Sequence, residues 1–408
     1  MKVGVRLQVW WVLGWLCVLA APAVGEPYLA VREGMQCPAC HTNVTGGGKR
    51  TDLVATHARD ILRYPNFFGR FSNPPEFFDG NINKFVALGS DVRLSESAIF
   101  QDKGSPSKCP GGTGQAGTTN CVDNNEVFRG RLEENDIDVT EATLYGEVRL
   151  IPEYLTFYID QRFQPTTDTR EVVGILRGVI PWNGFVKAGR VFVPYGLQIE
   201  DNNAFIRGGT NGSANTGFSF DLQEAGGVFG VEPGPFKWMV AVTDPSSSSG
   251  RDVRLTTTAS TMLTDLPVVR SVMFGSAFSR VGSRNGGDTL RFSLFGGSNI
   301  GRFTYLAETD FLRDASSQTG KNIGRFIAYG EGNYLFFGWL NSKVAVDFAD
   351  NDGTLGATDD NENRVRFGVE PFLNRFVQAR LFYSIANGVE SKPTHNQNIL
   401  YGELHMFF

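Results

Sequence analysis

The sequence predicts a mainly β protein: a sixteen-stranded antiparallel transmembrane β-barrel behind a small N-terminal c-type haem segment that contains a short helix. Three observations predict it. Apolar and polar residues alternate with period two over many short stretches, as in Arg364-Val365-Arg366-Phe367-Gly368-Val369-Glu370, which suits strands with lipid on one face and a polar lumen on the other. Turn signals punctuate those stretches, with short and long connections alternating. Near the N-terminus stands Cys37-Pro38-Ala39-Cys40-His41, two thiols three apart with a histidine directly behind, the pattern of covalent haem attachment.

The first residues read as an export signal. Lys2 and Arg6 form a positive start, residues 9–21 are apolar, and Ala23-Val24-Gly25 offers small residues before a cut. Residues 1–25 are therefore assigned to the signal, 26–79 to a monohaem cytochrome c segment and 80–408 to the barrel. A formal charge of −5 excludes the basic face of a nucleic-acid binder. Gly 48 and Phe 33 are both high, while Cys is only 5, and Cys17 falls inside the signal. Cys109 and Cys121 sit in a Gly/Ser/Thr/Pro-rich stretch and are expected to form a disulfide, which persists outside the cytoplasm. Closing that loop contributes about 3 kcal/mol in the chain-entropy model.

In the haem segment, Cys37 and Cys40 would bond one haem c covalently and His41 would ligate its iron from one face. Zinc at Cys37, Cys40 and a histidine is an alternative, but structural zinc sites usually draw a second pair from elsewhere. A redox disulfide would need a thioredoxin-like βαβ context, which is absent. For the second axial ligand the chain offers His57, on a helix expected over residues 50–63, with Met35 and His405 as further ligand types. Gly46-Gly47-Gly48 fits a tight turn beside the porphyrin, and Lys49 or Arg50 would pair a propionate or stay solvated. Residues 64–79, rich in Pro, Asn, Phe and Gly, lead to the first strand.

From residue 84 onward, seven short connections are read at 151–153, 181–184, 233–235, 265–267, 298–300, 337–338 and 373–374. Eight longer ones fall near 100–135, 164–170, 197–217, 244–252, 283–287, 314–322, 350–362 and 387–397, giving sixteen strands. Outer-membrane barrels have even strand numbers, short periplasmic turns and long outer loops. That arrangement puts the haem segment and both chain ends in the periplasm. On the final stretch Tyr401, Glu403, His405 and Phe407 share the lumen face, with Phe408 at the very end. A soluble β-sandwich would need neither the alternating loop lengths nor the terminal phenylalanine.

Two resemblances add to this reading. Arg32-Glu33-Gly34-Met35-Gln36-Cys37-Pro38-Ala39-Cys40-His41, followed by a barrel of this size, resembles the fused monohaem cytochrome-porins. The resemblance implies an outer-membrane protein with one N-terminal c-type haem that takes electrons from extracellular iron(II) and passes them inward. Gly189-Arg190-Val191-Phe192-Val193-Pro194-Tyr195-Gly196-Leu197 is similar to a segment of the phosphate-selective porins and implies barrel ancestry.

The expected function is electron transfer across the outer membrane, between an extracellular donor or acceptor and a periplasmic electron-carrier cytochrome. The competing expectation is a diffusion porin with a haem-bearing plug. Its anion selectivity would come from Arg149, Arg162, Arg177, Arg291, Arg364, Arg366 and Arg380. The bland role of those arginines is to pair with Glu141, Glu147, Asp160, Glu308, Asp347 and Glu370 across strands. Peroxidase-like chemistry at an open iron is a third class, for which His57 is the one distal acid or base in the segment.

Overall fold

A computed structural model describes residues 26–51, 80–101, 131–197, 199, 204–207, 218–219, 222–245, 252–282, 288–315, 322–350, 361–374, 376–387 and 397–407. Sixteen strands form one closed antiparallel barrel. They are β1 Val86–Gln101, β2 Arg131–Ile151, β3 Leu155–Gln164, β4 Asp168–Ile180, β5 Gly184–Phe192, β6 Gln223–Val231, β7 Phe236–Asp244 and β8 Val253–Thr264. They continue as β9 Ser271–Gly282, β10 Thr289–Ile300, β11 Phe303–Ala315, β12 Asn322–Phe337, β13 Leu340–Asp350, β14 Glu362–Asn374, β15 Val377–Asn387 and β16 Gln397–Phe407. Each strand pairs with the next, and β16 closes the barrel on β1 with Arg93 opposite His405 and Leu94 opposite Leu404. No helix among the described residues is long and apolar enough to cross a membrane; the strands do the crossing.

Period-two alternation decides which side chain goes where. Leu144 and Val148 on β2, Phe157 and Ile159 on β3, Phe292 and Leu294 on β10, Val344 and Val346 on β13, and Phe367 and Val369 on β14 all point outward and are exposed. Such a continuous apolar outer surface matches lipid and would be a liability in water. Aromatics gather at the short-turn rim, where Phe303 lies 4.5 Å from Tyr334 and Tyr334 4.7 Å from Phe336, ring centre to ring centre. The residues between the outward ones face the lumen. On β14 these are Glu362, Arg364, Arg366 and Glu370, all buried.

The short turns carry the strained backbone. At Pro181-Trp182-Asn183-Gly184, Trp182 (φ 60°) and Asn183 (φ 52°) are both left-handed, the twist that joins two antiparallel strands tightly. Several expected connections differ from those observed. Residues 298–300 belong to β10, and the chain reverses at Gly301-Arg302 instead. Asn299 braces that turn by donating from Nδ2 to Phe303 O and Thr304 Oγ1, both at 2.9 Å. Likewise Leu373 and Asn374 end β14, and the reversal follows them. The long loop expected at 164–170 is only residues 165–167, because β3 and β4 stay paired to their ends and Arg162 bridges Asp168 at 2.7 Å.

Two inserts fill the barrel. Residues 26–51 enter from the short-turn end, and the connection between β5 and β6 folds back inside. Val193, Tyr195, Leu197, Ile199, Ala204, Phe205, Ile206 and Phe218 of that connection share one apolar core with Tyr28, Leu29 and Val31 of the first insert. Inner-wall residues Phe295, Leu306 and Tyr329 complete it.

Candidate functional site in the barrel lumen

Glu26 opens the first insert and ion-pairs with Arg380 near the start of β15. Burial alone pushes its carboxyl up, but Arg380 and then Lys343 outweigh this and hold it down to about 2. Helix α1, Pro27–Glu33, follows. Proline at the helix start costs no hydrogen bond, and Gly34 ends the helix in the left-handed region at φ 66°. Lys343 Nζ sits 5.3 Å from the Tyr28 ring centre, Ser271 Oγ donates to Val31 O, and Arg270 bridges Glu33 at 2.5 Å. Ser271 and Arg270 flank a short turn, so α1 lies just inside that rim.

The Cys-Pro-Ala-Cys stretch is a single helical turn, α2, Cys37–Cys40. Positions three apart on a helix are neighbours, so the backbone stacks residues 37 and 40. His41 then pairs antiparallel with Arg50, opening a hairpin whose tip reaches into the lumen. Thr51 ties the hairpin base to α2: its N–H donates to Cys40 O at 3.0 Å and its Oγ1 to Ala39 O at 2.6 Å.

The barrel wall grips the tip. Asn43 donates from Nδ2 to Glu171 Oε2 at 2.6 Å, while its Oδ1 accepts from Lys187 Nζ at 2.7 Å. Lys187 Nζ also reaches Thr45 Oγ1 at 3.0 Å and Glu171 Oε1 at 2.5 Å. Lys237 Nζ donates to Val44 O at 2.9 Å, and the Lys49 N–H donates to Tyr158 Oη at 3.0 Å. Gly48 (φ 69°) packs so closely on Tyr158 that a Cβ would overlap the phenol oxygen. Every polar group of a buried tip needs such a partner, because an unpaired one costs about 1–3 kcal/mol.

Lys49 and Arg50 are not the solvated surface charges that were one expectation for them. Lys49 is only 2% exposed and lies 3.5 Å from Glu147, so it is not solvated. The Arg50 guanidinium stacks 4.2 Å from the Phe407 ring centre on the last strand. The helix expected from residue 50 does not begin there, since Arg50 is committed to its bridge with His41. His57, Cys109 and Cys121 lie outside the described residues.

His405 faces the lumen near the short-turn rim, as its parity requires, and is buried. Its Nε2 is 3.0 Å from Asp91 Oδ2, and its ring meets the edge of Phe407 at 4.4 Å. Asp91 is in turn gripped by Arg93 through two hydrogen bonds of 3.1 Å. His405 is thus built into the seam where β1 and β16 close the barrel.

The inner β5–β6 connection is anchored as firmly. Glu308 on β11 accepts from the Leu197 N–H at 3.0 Å and pairs with Arg207 at 2.5 Å. Asp347 accepts from the Phe205 N–H at 2.9 Å and from Arg364, whose guanidinium lies 4.4 Å from the Phe205 ring centre. The lumen arginines are mostly engaged by carboxylates. Arg364 and Arg380 pair across strands with Asp347 and Glu403, Arg366 joins Asp347 at 3.2 Å, and Arg149 pairs along its own strand with Glu147. Glu141 and Asp160 converge on Arg170. Arg291 lies over the Phe218 ring, and Arg177 donates to Thr42 O at 3.1 Å.

His41 fits a haem ligand in one testable respect. It is buried, and its Nδ1 lies 3.3 Å from Gly48 O. Metal-ligating histidines have one ring nitrogen fixed by such a backbone carbonyl, which orients the other toward the metal. The chemistry of residues 37, 40 and 41, two thiols and an imidazole, fits a c-type haem.

The sequence matches no family model and no curated protein. Solved structures with a similar course do exist. The outer-membrane protein OmpT of Vibrio cholerae superposes with a TM-score of 0.55 at 10% identity, covering 80% of this chain and 99% of that one. The chain has the porin barrel fold. An anion-selective porin from Comamonas acidovorans follows at a TM-score of 0.53 and 12% identity over 79% of this chain and 99% of its own. OmpF of Salmonella typhi, solved with daunomycin, gives 0.52 and 9% over 80% and 99%.

The residues that anchor the hairpin after His41, namely Glu171, Lys187, Lys237 and Tyr158, were not singled out from the sequence. All four occupy the polar parity of their strands, which marks them as lumen-facing. A lysine at a lumen-facing position of each of two strands, Lys187 on β5 and Lys237 at the start of β7, was the available signal that something inside needed a donor.

Proposed function

We propose that the chain is an outer-membrane electron carrier whose single c-type haem, bonded to Cys37 and Cys40 and ligated by His41, sits in the short-turn mouth of a porin-fold barrel. The observation that carries this reading is the anchorage of the His41–Arg50 hairpin by Glu171, Lys187, Lys237 and Tyr158. It ties the haem-attachment motif to the inner wall instead of leaving it on a tether. A haem so held supplies reversible one-electron chemistry at its iron, with a potential set by ligands and burial. The protein's own part is to fix His41, keep water from its ring and carry the motif into the bilayer plane. Hydrocarbon is about 30 Å thick, so a seat inside the lumen shortens the gap to the outer face. In this orientation the short turns face the periplasm and a carrier cytochrome, the long loops meet an extracellular donor such as iron(II), and His57 takes the second axial position.

A solute porin is the second reading, favoured by the fold and by the arginines and lysines on the lumen wall. The paired state of most of those cations and the two inserts weigh against it. The deciding experiment adds Fe(II) to intact cells bearing the protein and follows the visible spectrum. A reduced c-type band that appears in wild type and is lost in Cys40→Ala supports the proposal. No band change in wild type, with haem present, overturns iron(II) as donor.

A further inference from the structure

A cleft of about 280 Å³ opens beside the haem motif, lined by Thr42, Thr51, Glu147, Arg149, Glu153, Thr156 and Arg177, of which Glu153 is exposed to solvent. Two of these residues belong to the motif's own scaffold. Thr42 directly follows His41, and Thr51 is hydrogen-bonded to the carbonyls of Ala39 and Cys40. The cleft therefore begins one residue from the iron-ligand position, on the barrel wall formed by β2, β3 and β4.

Its charges are unevenly satisfied. Glu147 is saturated: Arg149 Nε donates to it at 2.8 Å, Lys49 lies at 3.5 Å and Thr42 Oγ1 at 3.3 Å. Arg149 is committed to that carboxylate and, at 3.1 Å, to Asn81 Oδ1. Arg177 differs. Its contact is with a neutral backbone carbonyl, Thr42 O at 3.1 Å, and no carboxylate of the described residues pairs with it. A half-buried guanidinium with donors in a planar fork matches a carboxylate, and the nearest carboxylate acting on Arg177, Glu147, is already held by Arg149 and Lys49.

We propose that this cleft is the propionate seat of the haem, with Arg177 as counter-ion and the hydroxyls of Thr51 and Thr156 as additional donors. The inference rests on the proposed haem reading and deepens it. It reassigns the propionate partner from Lys49 and Arg50, which the structure commits elsewhere, to a residue on β4. Arg177, Thr51 and Thr156 would hold the carboxylates on the short-turn side of β2–β4.

The test is a redox titration of the purified, haem-loaded protein. A nearby cation favours the reduced, less positive haem, so Arg177→Gln and Arg177→Met should each lower the midpoint potential. Arg177→Lys should return it toward wild type, and Arg162→Gln, whose parent is bridged to Asp168, should leave it unchanged. Covalent haem staining should be equal in all four. Unchanged potentials in both neutral variants overturn the propionate seat while leaving the haem reading intact. A shift seen only when succinate is added assigns the cleft to a free carboxylate and also overturns it. Absence of stain in wild type overturns the haem reading itself.

Discussion

Lys187 and Glu171 form a buried ion pair on adjacent strands, 2.5 Å from Nζ to Oε1, and Asn43 bonds to both. The pair lies within the barrel wall, whereas Asn43 lies two residues beyond the haem-ligand position. One buried charge pair thus fixes the depth of the motif in the lumen.

Breaking that pair leaves an uncompensated charge. Lys187→Ala should cost about 3–5 kcal/mol, read as a lower urea midpoint for the barrel in detergent. Replacing both partners, Lys187→Met with Glu171→Leu, should recover most of the barrel's stability but leave Asn43 unheld. A single-variant loss below about 1 kcal/mol would mean that the hairpin does not depend on the pair.

Gly48 is the tightest point of the tip. Gly48→Ala puts a methyl where the Tyr158 oxygen stands and strains a left-handed residue. The tip should withdraw, exposing Lys49, which is 2% accessible in wild type. Labelling with an amine reagent and mass spectrometry should show Lys49 protected in wild type and modified in the variant. Tyr158→Phe removes one acceptor and should cost only about 1 kcal/mol.

Acid should release α1. Glu26 titrates near 2 when docked against Arg380 and Lys343, below its ordinary value of 4.5. A carboxyl depressed by folding stabilises above its unfolded value and loses that contribution as pH falls through the folded value. Docking of the insert should therefore be constant above about pH 4.5 and weaken between there and pH 2. Tryptic cleavage cannot be run at such pH, so pepsin cleavage ahead of Cys37 is the readout. Glu26→Gln should be weaker at neutral pH and lose the acid step.

Two inserts sharing one apolar core should keep the lumen from conducting. In planar bilayers the wild type should pass little current, and removal of residues 26–79 should raise it. Equal, large conductance in both would favour the solute-porin reading.

The barrel was legible because its physics is local. A period of two sorts lipid from lumen residue by residue, and the last strand fell on the expected parity, with Glu403, His405 and Phe407 buried inside. The inner β5–β6 connection was not legible. Its Asn, Gly and Ser content reads as an outer loop, although Val193, Tyr195, Leu197 and Ile199 continue an alternation past the end of β5. Helix α1 was missed because seven residues carry too little periodicity to stand out from a coil. At the site, Cys37-Pro38-Ala39-Cys40-His41 stood out as a spacing with one chemical expectation attached. Its anchors did not, since a lysine facing a pore and a lysine bonded to a plug have the same sequence pattern.

Covalent haem is the central claim, and a denaturing gel stained for haem peroxidase activity tests it most directly. The protein is expressed together with a c-type haem maturation system, and outer membranes are boiled before loading, so only bonded haem survives. The account predicts a stained band at the size of the exported chain, lost in Cys37→Ser and in Cys40→Ser while the barrel still folds. An unstained wild-type band of folded protein would contradict it.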